Sequence, residues 1–293
     1  MVLAASRVCP LCKGQRGRRI WREDGYRYLR CRTCAAVWTD LSDDDYVALR
    51  HNVWDDDEVS ADSEDFYGRA RRRAHDELLG RLAGRRGRLL DVGCGLGFFL
   101  ARAHDAGWQV RGCDTSPAWV RATNERVGSA VASVGDVPAA ISADERFDLI
   151  TAWDVIEHVH DPVGFLEQLA SRLAPGGAIF LRTPNLAYVL PLYALRRRLG
   201  HDVELGPTNH VVYFTASTMR RALALAGLRA VRWPVLAPPQ VETFAATTAP
   251  PATAVALKNR YAAAAERLAA LTRGSVVLGS DLDVIAVSAA SLG

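Results

Sequence analysis

Four of the six cysteines stand as two Cys-x-x-Cys pairs, Cys9/Cys12 and Cys31/Cys34, with 18 residues between the pairs. Each pair can form a tight knuckle that presents two thiolates, and two knuckles make the sulfur tetrahedron that zinc prefers. The N-terminus, MVLAASRVCP, lacks the apolar core of a secretion signal, so a metal is expected in place of disulfides. With four protein ligands no position is left for water, which makes that metal structural. The intervening GQRGRRIWREDGYRYLR alternates apolar and polar residues around Asp24-Gly25, as a hairpin does. The whole reads as a zinc ribbon, a unit too small to hold itself together by apolar burial alone.

A second constellation lies in LLDVGCGLGFFL, residues 89–100, where Asp91, Gly93, Gly95 and Gly97 sit between a strand and a helix. Glycines there allow a tight turn and let a ligand approach bare backbone. The spacing alone fits either a dinucleotide or a methyl donor. Asp114 follows the next strand, 21 residues beyond Gly93, where a carboxylate can hold both hydroxyls of a ribose. Gly135-Asp136-Val137 offers an acid to an adenine amino group. A nicotinamide-dependent dehydrogenase needs a glycine three residues after Gly95, and Phe98 stands there.

The third group is Trp153, Asp154, Glu157, His158 and His160, joined further along by His210. If Asp154-x-x-Glu157-His158 is one helical turn, its three polar residues share a side. His158 is the first choice as general base, because a histidine titrates near neutrality, and His210 is the second. Trp153 reads as a wall of the ligand pocket and Cys113 as core, while His160 and His201 carry little signal.

These residues need a scaffold that gathers strand ends. Short apolar runs at 88–92, 109–113, 147–152 and 178–183 alternate with helical patterns at 97–106, 117–128 and 162–173. That rhythm predicts an α/β fold with a doubly wound parallel sheet, which binds ligands at the carboxyl ends of its strands. A helix is expected over 67–83 and another over 216–226, then a strand at 228–236, an alanine-rich helix at 254–272 and a last strand at 282–286. The Pro/Ala/Thr-rich stretch 237–253 reads as a loop.

From about Arg69 to Ser288 the chain resembles the class I S-adenosylmethionine-dependent methyltransferases. Asp91-Val-Gly-Cys-Gly-Leu-Gly97 is similar to their first motif, FDLITAWDVIEHVHDP to the motif at their fourth strand, and LAPGGAIFLRTPN to the segment that follows. HVVYFTASTMRRALALAGL looks like the lead into their last helix. The resemblance implies a Rossmann-like sheet of seven strands with the last antiparallel, here residues 282–286. It also implies that Asp91, Gly93, Cys94, Gly95 and Gly97 cradle S-adenosylmethionine, that Asp114 and Thr115 meet its ribose, and that Asp136 and Val137 meet its adenine. Trp153 and Asp154 would border the same ligand, and S-adenosylhomocysteine would be the product. Asp154, Glu157, His158 and His210 further resemble the divalent-metal cluster of small-RNA 2′-O-methyltransferases and ubiquinone-pathway O-methyltransferases. Those relatives have Glu where this chain has Asp154, and the shorter side chain weakens that reading.

The expected organisation is a ribbon at 1–38, an acidic connector at 39–66 and a methyltransferase domain at 67–293, with lid or insert segments at about 186–209 and 237–272. Zinc ribbons precede such domains in bacterial sugar and natural-product methyltransferases, so the leading expectation is methyl transfer to an oxygen of a small molecule or glycan. The alternatives are an RNA methyltransferase that grips phosphate with its basic ribbon, and a donor-binding scaffold without turnover. Nine Lys/Arg against two acids in residues 1–38 favour RNA, whereas eleven acids in 40–65 would repel it. The net charge of +3 gives nucleic acid no general support. The ribosomal-RNA guanine methyltransferases that share this layout carry His at the position of Cys34. Hydrophobic residues at 49% and charged residues at 24% fit a globular chain, and no run reaches the ~20 apolar residues of a membrane span. A cytoplasmic protein is expected, and a homodimer is one arrangement it could take. LAYVLPLYALRRRLG, residues 186–200, is apolar then basic, which fits a lid over the acceptor or contact with a membrane surface.

Overall fold

The apolar runs form the middle of a seven-stranded sheet in a computed structural model that describes residues 8–23, 25–41, 68, 71–201, 210–236 and 252–292. Asp24, most of the acidic connector (42–66), part of the expected lid (202–209) and the stretch 237–251 lie outside the described residues. The strands are β4 (Arg88–Val92), β5 (Gln109–Asp114), β6 (Ala132–Val134), β7 (Phe147–Trp153), β8 (Leu173–Pro184), β10 (Leu228–Arg232) and β11 (Asp281–Ser288). Their order is β10-β11-β8-β7-β4-β5-β6, parallel from β8 to β6. Strand β11 runs antiparallel to both β8 and β10, as expected for the last strand.

The strands are apolar on both faces because both faces are covered. Leu89, Leu149 and Phe180 point to the side where α1 (Arg72–Arg81) and α2 (Phe98–Asp105) bring Leu78, Phe99 and Leu100. Their neighbours Leu90, Ile150 and Ile179 point to the other side, against Leu166 and Leu169 of α5 (Pro162–Ser171) and Met219 and Leu223 of α7 (Ala216–Leu225). Truncating any one of these fully buried leucines to alanine costs about 2–5 kcal/mol.

Local signals set the helix ends. In α3 (Pro117–Val127) the Ser116 side chain accepts from Trp119 N, proline opens the first turn, and Gly128 at φ 76° closes the helix. Thr215 and Thr218 make a reciprocal capping box at the start of α7. Asp136 caps α4 (Val137–Ala140), and Asn185 caps α6 (Leu186–Arg198). The last long helix, α8, spans Ala252–Leu271.

The N-terminal hairpin, β1 (Gly17–Glu23) with β2 (Tyr26–Cys31), continues into β3 (Val37–Thr39). This small sheet gains a fourth strand from the far end of the chain. Strand β9 (Val212–Tyr213) pairs antiparallel with β3, Val37 opposite Tyr213 and Trp38 opposite Val212. Cys9, Leu29, Cys31 and Trp38 share one apolar core with Val137, Ile156, Val211 and Phe214, so the ribbon is built into the larger unit. Among the described residues, no helix is long and apolar enough to cross a membrane.

Candidate functional site

A cavity of about 670 Å³ opens at the carboxyl ends of β4, β5, β6 and β7. That volume is ordinary for a small-molecule site. The glycine turn forms its floor. Gly93 and Gly97 hold φ of +67° and +74°, and a Cβ on Gly93 would lie 2.6 Å from Val155 Cγ2. The turn is tied to the next strand by Gly93 N and Cys94 N, which both donate to Cys113 O. Asp114 fixes it from the side, its two oxygens accepting from Gly95 N at 2.9 Å and Ser116 N at 3.0 Å. A carboxylate oxygen has more than one acceptor direction, so Asp114 keeps capacity for a ligand hydroxyl.

Asp91, Gly93, Cys94, Gly95, Asp114, Thr115, Asp136, Val137, Trp153 and Asp154 all line this cavity, whereas Gly97 lies behind it, packed on Thr123. Burial pushes the Asp91 carboxyl up to about 8, against the opposing effect of the Thr151 hydroxyl that donates to it at 2.6 Å. Burial likewise raises Asp114, opposed by its backbone donors. The Cys94 thiol is buried and pushed well up, so it stays protonated. Asp136 is less free than the sequence suggests, since one oxygen accepts from Ala139 N at 3.2 Å as the α4 cap. Cys113 is core, as expected, and also borders the cavity.

Trp153 sits in an aromatic box, 4.7 Å from the His75 ring, 5.1 Å from Phe99 and 4.6 Å from Phe180. Behind it Arg182 is fully buried and pairs with Asp283 at 2.8 Å. Beyond β7 the chain departs from the expected helical turn. Asp154 adopts a left-handed φ of 53°, and only Ile156–His158 form a 3-10 turn. Asp154 therefore leaves the side of Glu157 and His158, and pairs with Arg71 at 2.7 Å.

Glu157, His158 and His210 do come together, with ligating atoms all within 4.8 Å of one another; Asp154 is not in that group. His210 Nε2 lies 4.0 Å from Glu157 Oε1, and the two imidazole rings are 5.0 Å apart. Burial drives Glu157 well up, with Asp154 adding to the effect and the nearby Thr183 hydroxyl opposing it, and neither of its oxygens has a partner at good hydrogen-bond geometry. Burial and then His158 push His210 down to about 3, so it is neutral at physiological pH. The ribbon holds this segment: Thr39 Oγ1 donates to His210 O at 3.1 Å, Thr39 N to Val211 O, and Val211 N to Glu157 O.

Arg71 and His75 are not marked by the sequence, because RARRRAH is a charge run that reads as a solvated face. Their spacing of four residues was the available signal, because it sets them on one side of α1. Both line the cavity, and Arg71 Nε and Nη1 are buried without partners. By contrast, no residue of α6 lines it; over 186–198 the expected lid is a helix laid on the ribbon.

The other cluster is Cys9, Cys12, Cys31 and Cys34, with Sγ separations of 3.5 Å for Cys9–Cys34 and 3.6 Å for Cys12–Cys31. Four sulfurs at about 2.3 Å from a tetrahedral zinc stand about 3.8 Å apart, so the donor set fits that ion. The two knuckles match. Lys13 N donates to Cys9 O and Ala35 N to Cys31 O, and Lys13 and Ala35 both have positive φ.

A family profile described as a methyltransferase domain matches residues 67–232. The ubiquinone biosynthesis O-methyltransferase of Methylobacterium sp. (strain 4-46) is 31% identical over 152 residues, covering 48% of this chain and 59% of that protein. Its counterpart in Xanthomonas campestris pv. campestris (strain B100) is 35% identical over 117 residues, covering 38% and 48%. The chain thus spans about half the length of the curated relatives it matches. Two solved structures share the fold at a TM-score of 0.51. One is a chain from the complex between a Haloferax volcanii methyltransferase activator and a candidate methyltransferase, 19% identical and covering 84% of this chain and 96% of that one. The other is mitomycin 7-O-methyltransferase, 15% identical and covering 83% and 60%.

Proposed function

The chain belongs to the class I S-adenosylmethionine-dependent methyltransferases, and on that premise we propose that it transfers a methyl group to an oxygen of a small-molecule or glycan acceptor. The observation that carries the reading is one cavity with the glycine turn and Asp114 at one side and Glu157, His158 and His210 at the other. The donor supplies an electrophilic methyl on a sulfonium. Asp114 and Thr115 hold its ribose, Asp136 and Val137 meet its adenine, and the bare backbone of Gly93 and Gly95 lets its amino-acid portion lie close. Arg71 receives the donor carboxylate, which the two buried, unpartnered guanidinium nitrogens favour, while Asp154 orients Arg71. Trp153 and Phe99 keep water from the sulfonium.

His158 takes the proton from the acceptor hydroxyl. His210 serves poorly in that role, since a group held near 3 is a weak base at neutral pH. It orients the hydroxyl instead. The O-methyltransferase names of the curated relatives support oxygen as the acceptor atom.

The two orphaned oxygens of Glu157 favour a second reading of the same corner, in which Glu157, His158 and His210 hold a divalent cation without Asp154. Such an ion would make the acceptor hydroxyl more acidic. The four cysteines hold one structural zinc in either case.

Donor carrying a labelled methyl group, incubated with the protein and a bacterial extract, tests the proposal. Label in small molecules or glycans, absent with His158→Ala, is the expected result. Label destroyed by ribonuclease makes RNA the acceptor, and donor binding without label in any fraction makes the chain a scaffold. Dependence of turnover on an added divalent ion, lost after chelation and in Glu157→Gln, selects the second reading.

A further inference from the structure

Helix α6 carries two apolar stripes, and the fold covers one of them. Leu186, Val189, Leu190 and Tyr193 pack on Tyr28, Val37, Ile20 and Trp21 of the ribbon. On the opposite side Tyr188, Leu192, Leu195 and the C-cap Leu199 are 44%, 42%, 55% and 68% exposed. At 3.6 residues per turn these four fall on a single line along the helix. The same geometry puts Arg196 and Arg198 on the two flanks of that line. Arg197 turns back to the ribbon, its guanidinium 5.0 Å from the Trp21 ring. The helix holds no acidic residue.

We propose that this face of α6 docks on an anionic lipid bilayer, with the helix lying in the plane of the interface. Leu192, Leu195, Leu199 and Tyr188 enter the acyl boundary, and the flanking arginines meet headgroup phosphates. Charge complementarity selects this occupant. An RNA would bring the phosphates, but Tyr188 alone on this line offers a base a stacking surface, and the three leucines gain nothing from it. A second copy packed stripe to stripe would bury arginines with no acid on the helix to receive them. The attachment is peripheral, since no described helix can span a bilayer.

The test is sedimentation of the full chain with phosphatidylcholine vesicles, with and without phosphatidylglycerol. Binding is expected only with phosphatidylglycerol, and raised salt should release it. At about 1 kcal/mol per arginine, Arg196→Gln with Arg198→Gln should weaken partitioning roughly 25-fold. Leu192→Ser with Leu195→Ser should abolish it while donor binding stays intact. Should the leucine variant misfold, the arginine pair and the salt series still decide, because both leave the leucines in place. Equal binding to both vesicle types, no binding to either, or unchanged partitioning in the arginine variant would overturn the proposal. So would capture by RNA in preference to vesicles at equal salt, or a dimer that the leucine changes dissociate.

Discussion

Alanine at Gly93 and alanine at Gly97 should both destabilise the protein, yet only the first should be rescued by a second change. Both positions have left-handed φ, which costs a non-glycine residue about 1–2 kcal/mol. The steric parts differ. The new Cβ at 93 meets a methyl, Val155 Cγ2, at 2.6 Å, whereas at 97 it meets Thr123 Oγ1 at 2.8 Å and also Thr123 Cα at 2.9 Å, a backbone atom that no substitution removes. Overpacking of this kind costs about 1–3 kcal/mol, which brings Gly93→Ala to roughly 2–5 kcal/mol in total. Val155→Ala deletes the clashing methyl. The double variant should therefore regain about 1–3 kcal/mol relative to the sum of the two singles. Equilibrium urea unfolding of the wild type, both singles and the double closes that cycle. The Gly97→Ala variant with Val155→Ala serves as the control and should show simple additivity. Coupling below about 0.5 kcal/mol at position 93 would refute the close-approach account and leave backbone strain as the whole effect.

Three further outcomes follow from the site. Arg71→Met should weaken donor binding about 10- to 150-fold by calorimetry, the worth of one charged hydrogen bond at about 1.5–3 kcal/mol. Asp91 has a folded value raised from 3.8 to about 8, so its contribution to stability is complete below about pH 4 and is lost as pH rises through 8. Asp91→Asn should flatten the decline of unfolding free energy between those limits; an unchanged slope would mean that other buried carboxyls, such as Glu157, account for it. Thr39→Val removes the donor to His210 O but keeps the backbone bond to Val211. It should lower kcat about fivefold with donor affinity unchanged, and Thr39→Ser should restore it.

What could be read in advance was what lies close together in the chain. The glycine turn, Asp114 one strand later and the two cysteine pairs each declare themselves through short spacings imposed by backbone geometry. A helical turn through Asp154 would set it beside the histidines; its left-handed backbone leaves it on the cavity wall and turns it to Arg71 instead. Arg71 and His75 are hard to read for another reason: their four-residue spacing lies inside a basic run, and burial, not residue type, sets Arg71 apart. The covered stripe of α6 and the Thr39–His210 bond depend on segments more than a hundred residues apart, and no local pattern encodes which segments meet.

That last separation has a consequence for how the protein is made. Thr39 and Tyr213 are 174 positions apart, yet they belong to the same four-stranded sheet. At about 5–20 residues per second, a ribosome that has finished β3 needs roughly 10–35 s more before β9 exists. Through that interval β3 presents an open strand edge, the kind of template that invites pairing with another chain. Early capture of a metal by the four cysteines would order the nascent hairpin but leave that edge unsealed. Closure waits for the loop to be drawn shut by the larger sheet and its helices, so misassembly during synthesis should track the speed of translation between β3 and β9.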